Sequence, residues 1–198
     1  MKIGIDGKAA MLDKGKNGER RREFIRMMAD AFPDCDFYIY TPKLPKLAEA
    51  KKFRDYHNVR VCLPPPSGFG GVFWRLFGVT NNLQPDGVDL FHGIDGRLPL
   101  NIFQAGKPTV LTIDETVLEN ARQKGLAAKI VHYILGKSCA NADVILTEDL
   151  KELINRGLVA SIEQGKVRTV KSETDEFSKA EAIMNIYHKL IEDREKEK

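Results

Sequence analysis

Cysteine is scarce in this sequence: three in 198 residues, Cys35, Cys62 and Cys139, set far apart. An odd count at wide spacing builds neither a disulfide framework nor a zinc site, so all three are expected as small buried hydrophobes in a reducing compartment. Long apolar runs are also missing, and nothing approaches the ~18–20 residues of a membrane span. No basic stretch followed by an apolar one opens the chain, so a secretory leader is not expected and the cytoplasm is the expected location. Charge of one sign is not in excess. Lys and Arg number 31 against 28 Asp and Glu, a net charge of +3, which is too weak for a nucleic-acid footprint. The glycine spacing fits neither a dinucleotide fingerprint nor a P-loop, and no two candidate metal ligands share a recognised spacing. No cofactor and no metal are therefore expected. Peripheral contact with a membrane surface stays open through the apolar patch Phe69, Val72, Phe73, Trp74, Leu76 and Phe77.

What the sequence does have is alternation. Short apolar runs are separated by longer amphipathic stretches, the pattern of β-α-β units in a parallel sheet. Strands are expected at Ile3–Asp6, Phe37–Tyr40, Val59–Leu63, Val88–His92, Thr109–Ile113, Asp143–Leu146 and Lys166–Val170. Helices are expected at Glu19–Phe32, in short form within Leu44–Phe53 and Phe73–Val79, within Leu118–Ala140, at Glu148–Arg156 and at Ser178–Glu195. Pro33 and Pro64-Pro65-Pro66 stop the elements before them. The expected fold is α/β: one Rossmann-like, doubly wound parallel sheet in a single domain over 1–198, with a 1–176 core and a C-terminal helix over 177–198 packing back on it. The face Ala182, Ile183, Ile186, Tyr187, Leu190 and Ile191 motivates that packing.

In open α/β sheets ligands bind beyond the carboxyl ends of the strands, which singles out three loops. The first holds Asp6-Gly7-Lys8, then Gly15, Asn17, Gly18 and Glu19. Its glycines let backbone N–H groups approach a ligand, or it is a loop capped at Asn17 or Gly18. The fourth strand runs into His92, Gly93, Asp95 and Arg97. A histidine there can meet a ligand and move a proton near neutrality, or bond to nearby backbone; Asp95-Gly96 is also a turn dipeptide. The fifth strand ends in Asp114 and Glu115. One of them can act as a general base on a hydroxyl, or the two cap the next helix. Neighbours in extended chain point apart, so they do not form a carboxylate pair. Thr147, Glu148 and Asp149 read as a helix start.

The order of these segments resembles a known family. MKIGIDGKAA, a glycine loop running into a helix, FYIYTPK, WRLFG, VDLFHGIDGRLPL, KPTVLTIDE and ANADVILTEDLKELI are together similar to a family 4 retaining glycosyltransferase, over about the first 170 residues. The resemblance implies the N-terminal, acceptor-side domain of a GT-B enzyme, in which a second Rossmann-like domain binds the nucleotide sugar and a last helix crosses back. FSKAEAIMNIYHKLIED resembles that closing helix, but the donor-binding domain is not between. Two further departures stand out. The glycine loop reads Lys16-Asn17-Gly18-Glu19-Arg20-Arg21 where the family usually has a TGIGRY-like run. Asp114 and Glu115 stand where the family has a His-Asp pair.

The resemblance therefore implies a sugar or glycan acceptor as ligand; the strand-end loops supply Gly7, Gly18, Glu19, His92, Gly93, Asp95, Arg97 and Glu115 as expected binding residues and Asp114 as the catalytic candidate. A domain with no leaving-group site is not expected to turn over a donor alone. Two alternatives remain: the acceptor subunit of a split enzyme whose donor domain is on a partner chain, and a non-catalytic interaction module. Loss of a facing domain would leave the crevice open, so either polar groups or a covering partner are expected there. A homodimer through Phe69, Phe73 and Trp74 is one way to cover it.

Overall fold

In the computed structural model, residues 1–66, 70–121, 125–148, 164–170 and 175–196 are described. Seven strands form one sheet: β1 (Lys2–Asp6), β2 (Asp36–Tyr40), β3 (Val59–Cys62), β4 (Leu90–Gly93), β5 (Thr109–Ile113), β6 (Val144–Thr147) and β7 (Val167–Thr169). Their order is β3-β2-β1-β4-β5-β6-β7, and every pairing is parallel. This is the Rossmann order, extended by a strand, with the direction of winding reversing between β1 and β4. Each expected strand forms, with ends shifted by no more than two residues.

Alternation along the strands decides what covers each face. Ile3 and Ile5, Phe37 and Ile39, and Val144 and Leu146 face one layer, in which Met11, Ile25, Met28, Phe53 and Tyr187 are buried. Tyr38 and Tyr40, Leu111 and Ile113, and Ile145 face the other, packed on Trp74, Val79, Leu83, Leu118 and Leu135. The first layer is built by α1 (Lys8–Leu12), α2 (Lys16–Ala31), the short α3 (Ala48–Lys51) with its following 3₁₀ turn (Lys52–Asp55), and a C-terminal helix. The second has α4 (Gly71–Phe73), a π turn (Trp74–Gly78), α5 (Val79–Leu83), α6 (Glu115–Ala121) and α7 (Leu126–Asn141). The C-terminal helix, α8 (Glu176–Lys196), lies on α2 and buries Ala180, Ile183, Met184 and Tyr187. Ala182, expected on that inner face, is exposed. Full burial of such side chains stabilises by roughly 1.5–3 kcal/mol each.

The structure departs from the sequence reading in four places. A helix over Lys8–Leu12 occupies what reads as loop; Ala9, Ala10 and Met11 are good helix formers whose side chains are buried. The helix that follows starts at Lys16 rather than Glu19. The single helix expected within Leu118–Ala140 is two, because Gly125 sits at φ +110, a conformation that L side chains rarely adopt. Trp74, expected on an exposed patch, is 95% buried and donates from Nε1 to Asn82 Oδ1 at 3.2 Å. Val72, Phe73 and Phe77 of that patch are exposed, whereas Phe69 and the helix expected at Glu148–Arg156, from residue 149 on, fall outside the described residues.

Candidate functional site

The carboxyl ends of β1 and β4 meet at the reversal point, and a chain of charged groups is assembled across them. Asp6, the last residue of β1, takes Arg75 in a forked ion pair, with Nε 2.9 and 3.0 Å and Nη2 2.6 Å from its oxygens. Arg75 comes from the π turn, a rare helical form that often accompanies functional sites. Its Nη2 also lies 3.5 Å from Asp95 Oδ2. Asp95 accepts from Asn17 Nδ2 at 3.1 Å and faces Arg21 Nε at 3.9 Å. Arg21 in turn grips Asp114 with two hydrogen bonds, 2.6 and 3.0 Å. Five charged side chains thus bridge the first, fourth and fifth strand ends, and Arg21, Arg75, Asp6 and Asp114 are all buried.

Asp114 has a further task. Its Oδ1 accepts the Val117 N–H at 3.1 Å, which caps α6. Burial alone would raise its pKa, but the Arg21 hydrogen bonds and charge, the Val117 N–H and Arg20 together hold it below the ordinary carboxylate value. It is an ionised carboxylate whose lone pairs are filled, and that makes it a weak proton acceptor near neutrality. Glu115 beside it is exposed at the start of α6, so the two neighbours diverge.

His92 is fully buried. Its Nδ1 lies 2.5 Å from Tyr187 Oη of α8 and its Nε2 2.8 Å from Thr112 Oγ1, so a neutral ring donates through one nitrogen and accepts through the other. Burial, and after it the positive charge of Arg21, push its pKa down to about 3. Both ring nitrogens are taken, and the ring joins the sheet to the C-terminal helix instead of facing solvent.

The glycines act by close approach. A Cβ at Gly7 would overlap Ile39, one at Gly18 the Asp13 carbonyl, and one at Gly93 the Arg97 carbonyl. All three are buried and none lines a cleft. Glu19 is exposed on the first turn of α2, away from both clefts described next.

Two clefts open at this end of the sheet. One, of about 370 Å³, lies between the β1 loop, the β4 loop and α7; Lys8, Asn17, Asp95 and Arg97 form its polar side and Leu12, Val117 and Leu135 its apolar side. The other, of about 290 Å³, lies between α2, the ends of β5 and β6, and α8; Arg20, Asp114, Glu148 and Lys179 line it with Phe24, Met27 and Ile183. Of the expected binding residues, Asp95 and Arg97 share the first cleft, and Asp114 lies in the second. Ile94 and Leu98, which flank them, are buried, so the crevice presents charge rather than a bare apolar face.

The fold compares closely with solved structures. The chain superposes on a sucrose-phosphate synthase chain from Thermosynechococcus elongatus with a TM-score of 0.56 at 11% identity, covering 96% of this chain and 99% of that one. The fold is glycosyltransferase-like. Two further structures agree: HepE from Anabaena in complex with UDP and glucose, with a TM-score of 0.57 at 11% identity over 88% of this chain, and Glycyrrhiza uralensis UGT73P12 complexed with glycyrrhetinic acid 3-O-monoglucuronide, with 0.50 at 10% identity over 86%. This chain spans 45% and 48% of those two, about half their length. No protein-family model matches the sequence, and no curated protein matches it.

Sequence reasoning missed the residues that organise the site. Arg75 was hidden in an apolar stretch, Phe73-Trp74-Arg75-Leu76-Phe77, and a lone arginine among aromatics was itself the available signal. Arg20, Arg21 and Arg22 look alike in sequence yet differ in role: Arg20 is half-exposed, Arg21 holds Asp114, and Arg22 donates to the Ala10 and Asp13 carbonyls. Among the described residues no group of three or more His, Cys, Asp and Glu side chains could hold a metal. Also among them, no helix is long and apolar enough to cross a membrane.

Proposed function

We propose that this chain is the acceptor-binding half of a glycosyltransferase, one domain closed by residues 177–198, which does not turn over a sugar donor alone. The supporting observation is the cleft at the reversal point between β1 and β4, where α/β sheets bind ligands, in a fold whose solved neighbours are glycosyltransferases. Transfer needs fixed donors around the leaving diphosphate. In the resemblance that site belongs to a second domain, and the half-length coverage of the two longer neighbours agrees with this.

In a second reading a partner chain supplies the donor side. The second cleft, with Arg20, Asp114 and Lys179 at its mouth, is the surface that reading would use. Assaying the chain with UDP- and GDP-sugars is the test. No hydrolysis or transfer is expected; turnover that disappears in Asp114→Asn would contradict the half-enzyme reading. Adding a lone donor-binding domain and regaining transfer would favour the split enzyme.

A further inference from the structure

The helix α7 is committed on one side and bare on the other. Its Ile134, Leu135, Ser138 and Cys139 are buried, and Val131 and Leu135 line the first cleft. On the outer side stand Leu126, Ile130 and Tyr133, exposed by 78%, 54% and 60%. With Lys137 they are spaced i, i+4, i+7 and i+11, so they fall within about 60° of one another on a helix of 3.6 residues per turn. A surface helix ordinarily turns charged and polar groups outward. Here the outward stripe is apolar over its first two turns and ends in a lysine whose Nζ lies 5.8 Å from the centre of the Tyr133 ring. The charges around the stripe are sorted by sign. α7 has no Asp or Glu, and Lys129 and Lys137 are exposed on it. α6, which packs against α7 in the same layer, has no Lys or Arg, and Glu115 and Glu119 are exposed on it one turn apart. The outer surface of this layer is thus acidic on α6, before the start of α7, and basic along α7 toward its end.

We propose that this face pairs with the same face of a second copy of the chain, the two α7 helices lying antiparallel across a twofold axis near Ile130. A twofold interface sets one patch against itself, and the sorted charges make that patch complementary to itself in one orientation. Antiparallel pairing stacks the apolar stripes and carries Lys137, about 10 Å beyond the axis, toward the α6 end of the second copy, where Glu119 stands. Parallel pairing sets lysine against lysine. An anionic lipid surface suits Lys129 and Lys137 but repels Glu115 and Glu119 on the same side. The surface first expected to pair, at Phe73 and Trp74, loses its centre because Trp74 is buried. Residues 71–83 around it carry a single charge, Arg75, already held by Asp6, and so offer no such complementarity. The helix is about 24 Å long, and one such helix with the end of α6 falls below the roughly 1,200–2,000 Å² of stable complexes. The dimer is therefore a weak one. It leaves both strand-end clefts open, since Val131 and Leu135 face them from the inner side of α7, and it stands independently of the acceptor-binding reading.

Sedimentation velocity of the full chain, from about 1 to 500 μM, tests this. A monomer–dimer equilibrium with a midpoint in the micromolar range is expected. Ile130→Asp, at an exposed position, is expected to leave a monomer at every concentration with unchanged circular dichroism. Lys137→Glu and Glu119→Lys each set like charges together at both ends of the pair and are each expected to weaken the dimer by about tenfold. Mixing these two variants in equal amounts restores both charge pairs, so a mixed dimer as stable as the original is expected. A chain that stays monomeric up to the highest concentration overturns the proposal. A dimer that survives Ile130→Asp overturns its location, and a mixture that pairs no better than either variant alone overturns the antiparallel arrangement. Flotation with vesicles of anionic phospholipid supplies the competing outcome. Binding that Ile130→Asp abolishes, by a chain that is monomeric in solution, would give the face to lipid and overturn self-pairing.

Discussion

Four of the cations at the carboxyl end of the sheet fall into two pairs that differ in their neighbours. Arg21 and Arg75 each lie in a forked pair with a buried aspartate. Lys8 and Arg97 have no such partner and line a cleft. The first pair tie strand ends to helices and are part of the fold. The second pair line the cleft without a side-chain hydrogen bond, and Asp95 and Asp6 attract both of them at longer range. Removing one member of a buried ion pair leaves the other charged and unsolvated, whereas removing a cation that has no partner leaves nothing behind.

The largest effect that would separate the two pairs is therefore on stability. Arg75→Met is expected to cost about 3–5 kcal/mol, read as a lowered midpoint in urea unfolding, and Arg21→Met a similar amount. Replacing both Asp6 and Arg75 by apolar residues should recover much of that loss, because the unpaired buried charge is gone. If Arg75→Met were neutral, the division between the pairs would collapse.

Next in size is the link between the sheet and the C-terminal helix. Tyr187→Phe removes the hydroxyl that meets His92 Nδ1 and leaves a buried ring nitrogen unpaired, at a cost of about 1–3 kcal/mol. Hydrogen exchange should quicken first in α8 and the facing part of α2. The same histidine predicts a pH dependence. Its folded pKa is about 3, against an ordinary 6.5, so over that window the unfolded chain binds the proton and the folded chain does not. Stability is then full above pH 6.5 and falls as pH drops toward 3, by about 1.4 kcal/mol per unit where the two states differ by a whole proton. Asp114, whose pKa is also depressed, adds to the loss only below its unfolded value of about 4. In His92→Gln the slope between pH 6 and 5 should flatten, whatever the variant's overall stability. A slope that is unchanged in that variant would place its origin elsewhere.

The smallest effect is expected at the two cations of the first cleft, which make no side-chain hydrogen bond among the described residues. Lys8→Gln and Arg97→Gln should each shift stability by no more than about 0.5 kcal/mol. Loss of a full kilocalorie or more in either would put that residue with Arg21 and Arg75 instead.

The sequence made the fold legible because the apolar runs and their spacing dictate it locally. Ile3–Asp6, Phe37–Tyr40 and Thr109–Ile113 read as strands from their own composition, and the amphipathic spacing of Ile183, Tyr187 and Leu190 announces a docked helix. The site was less legible because it depends on pairings between distant residues. Asp6 and Arg75 are 69 positions apart and Arg21 and Asp114 are 93 apart, and nothing local in either member names its partner. Asp95 and Arg97 could be picked out by their place after a strand. His92 could be placed there too, but not its orientation: the alternation along β4 points it into the core layer under Tyr187, away from the crevice. Gly125, at φ +110 just before α7, lies in a stretch whose amphipathic spacing reads as one helix.

A map of backbone amide shifts on titrating the isotope-labelled chain with oligosaccharides tests the acceptor-binding reading most directly. The account predicts shifts centred on residues 8–17 and 95–97, around the first cleft, and none at the exposed side chains of Val72, Phe73 and Phe103. Shifts centred on that apolar surface, with the cleft amides unmoved, would contradict it.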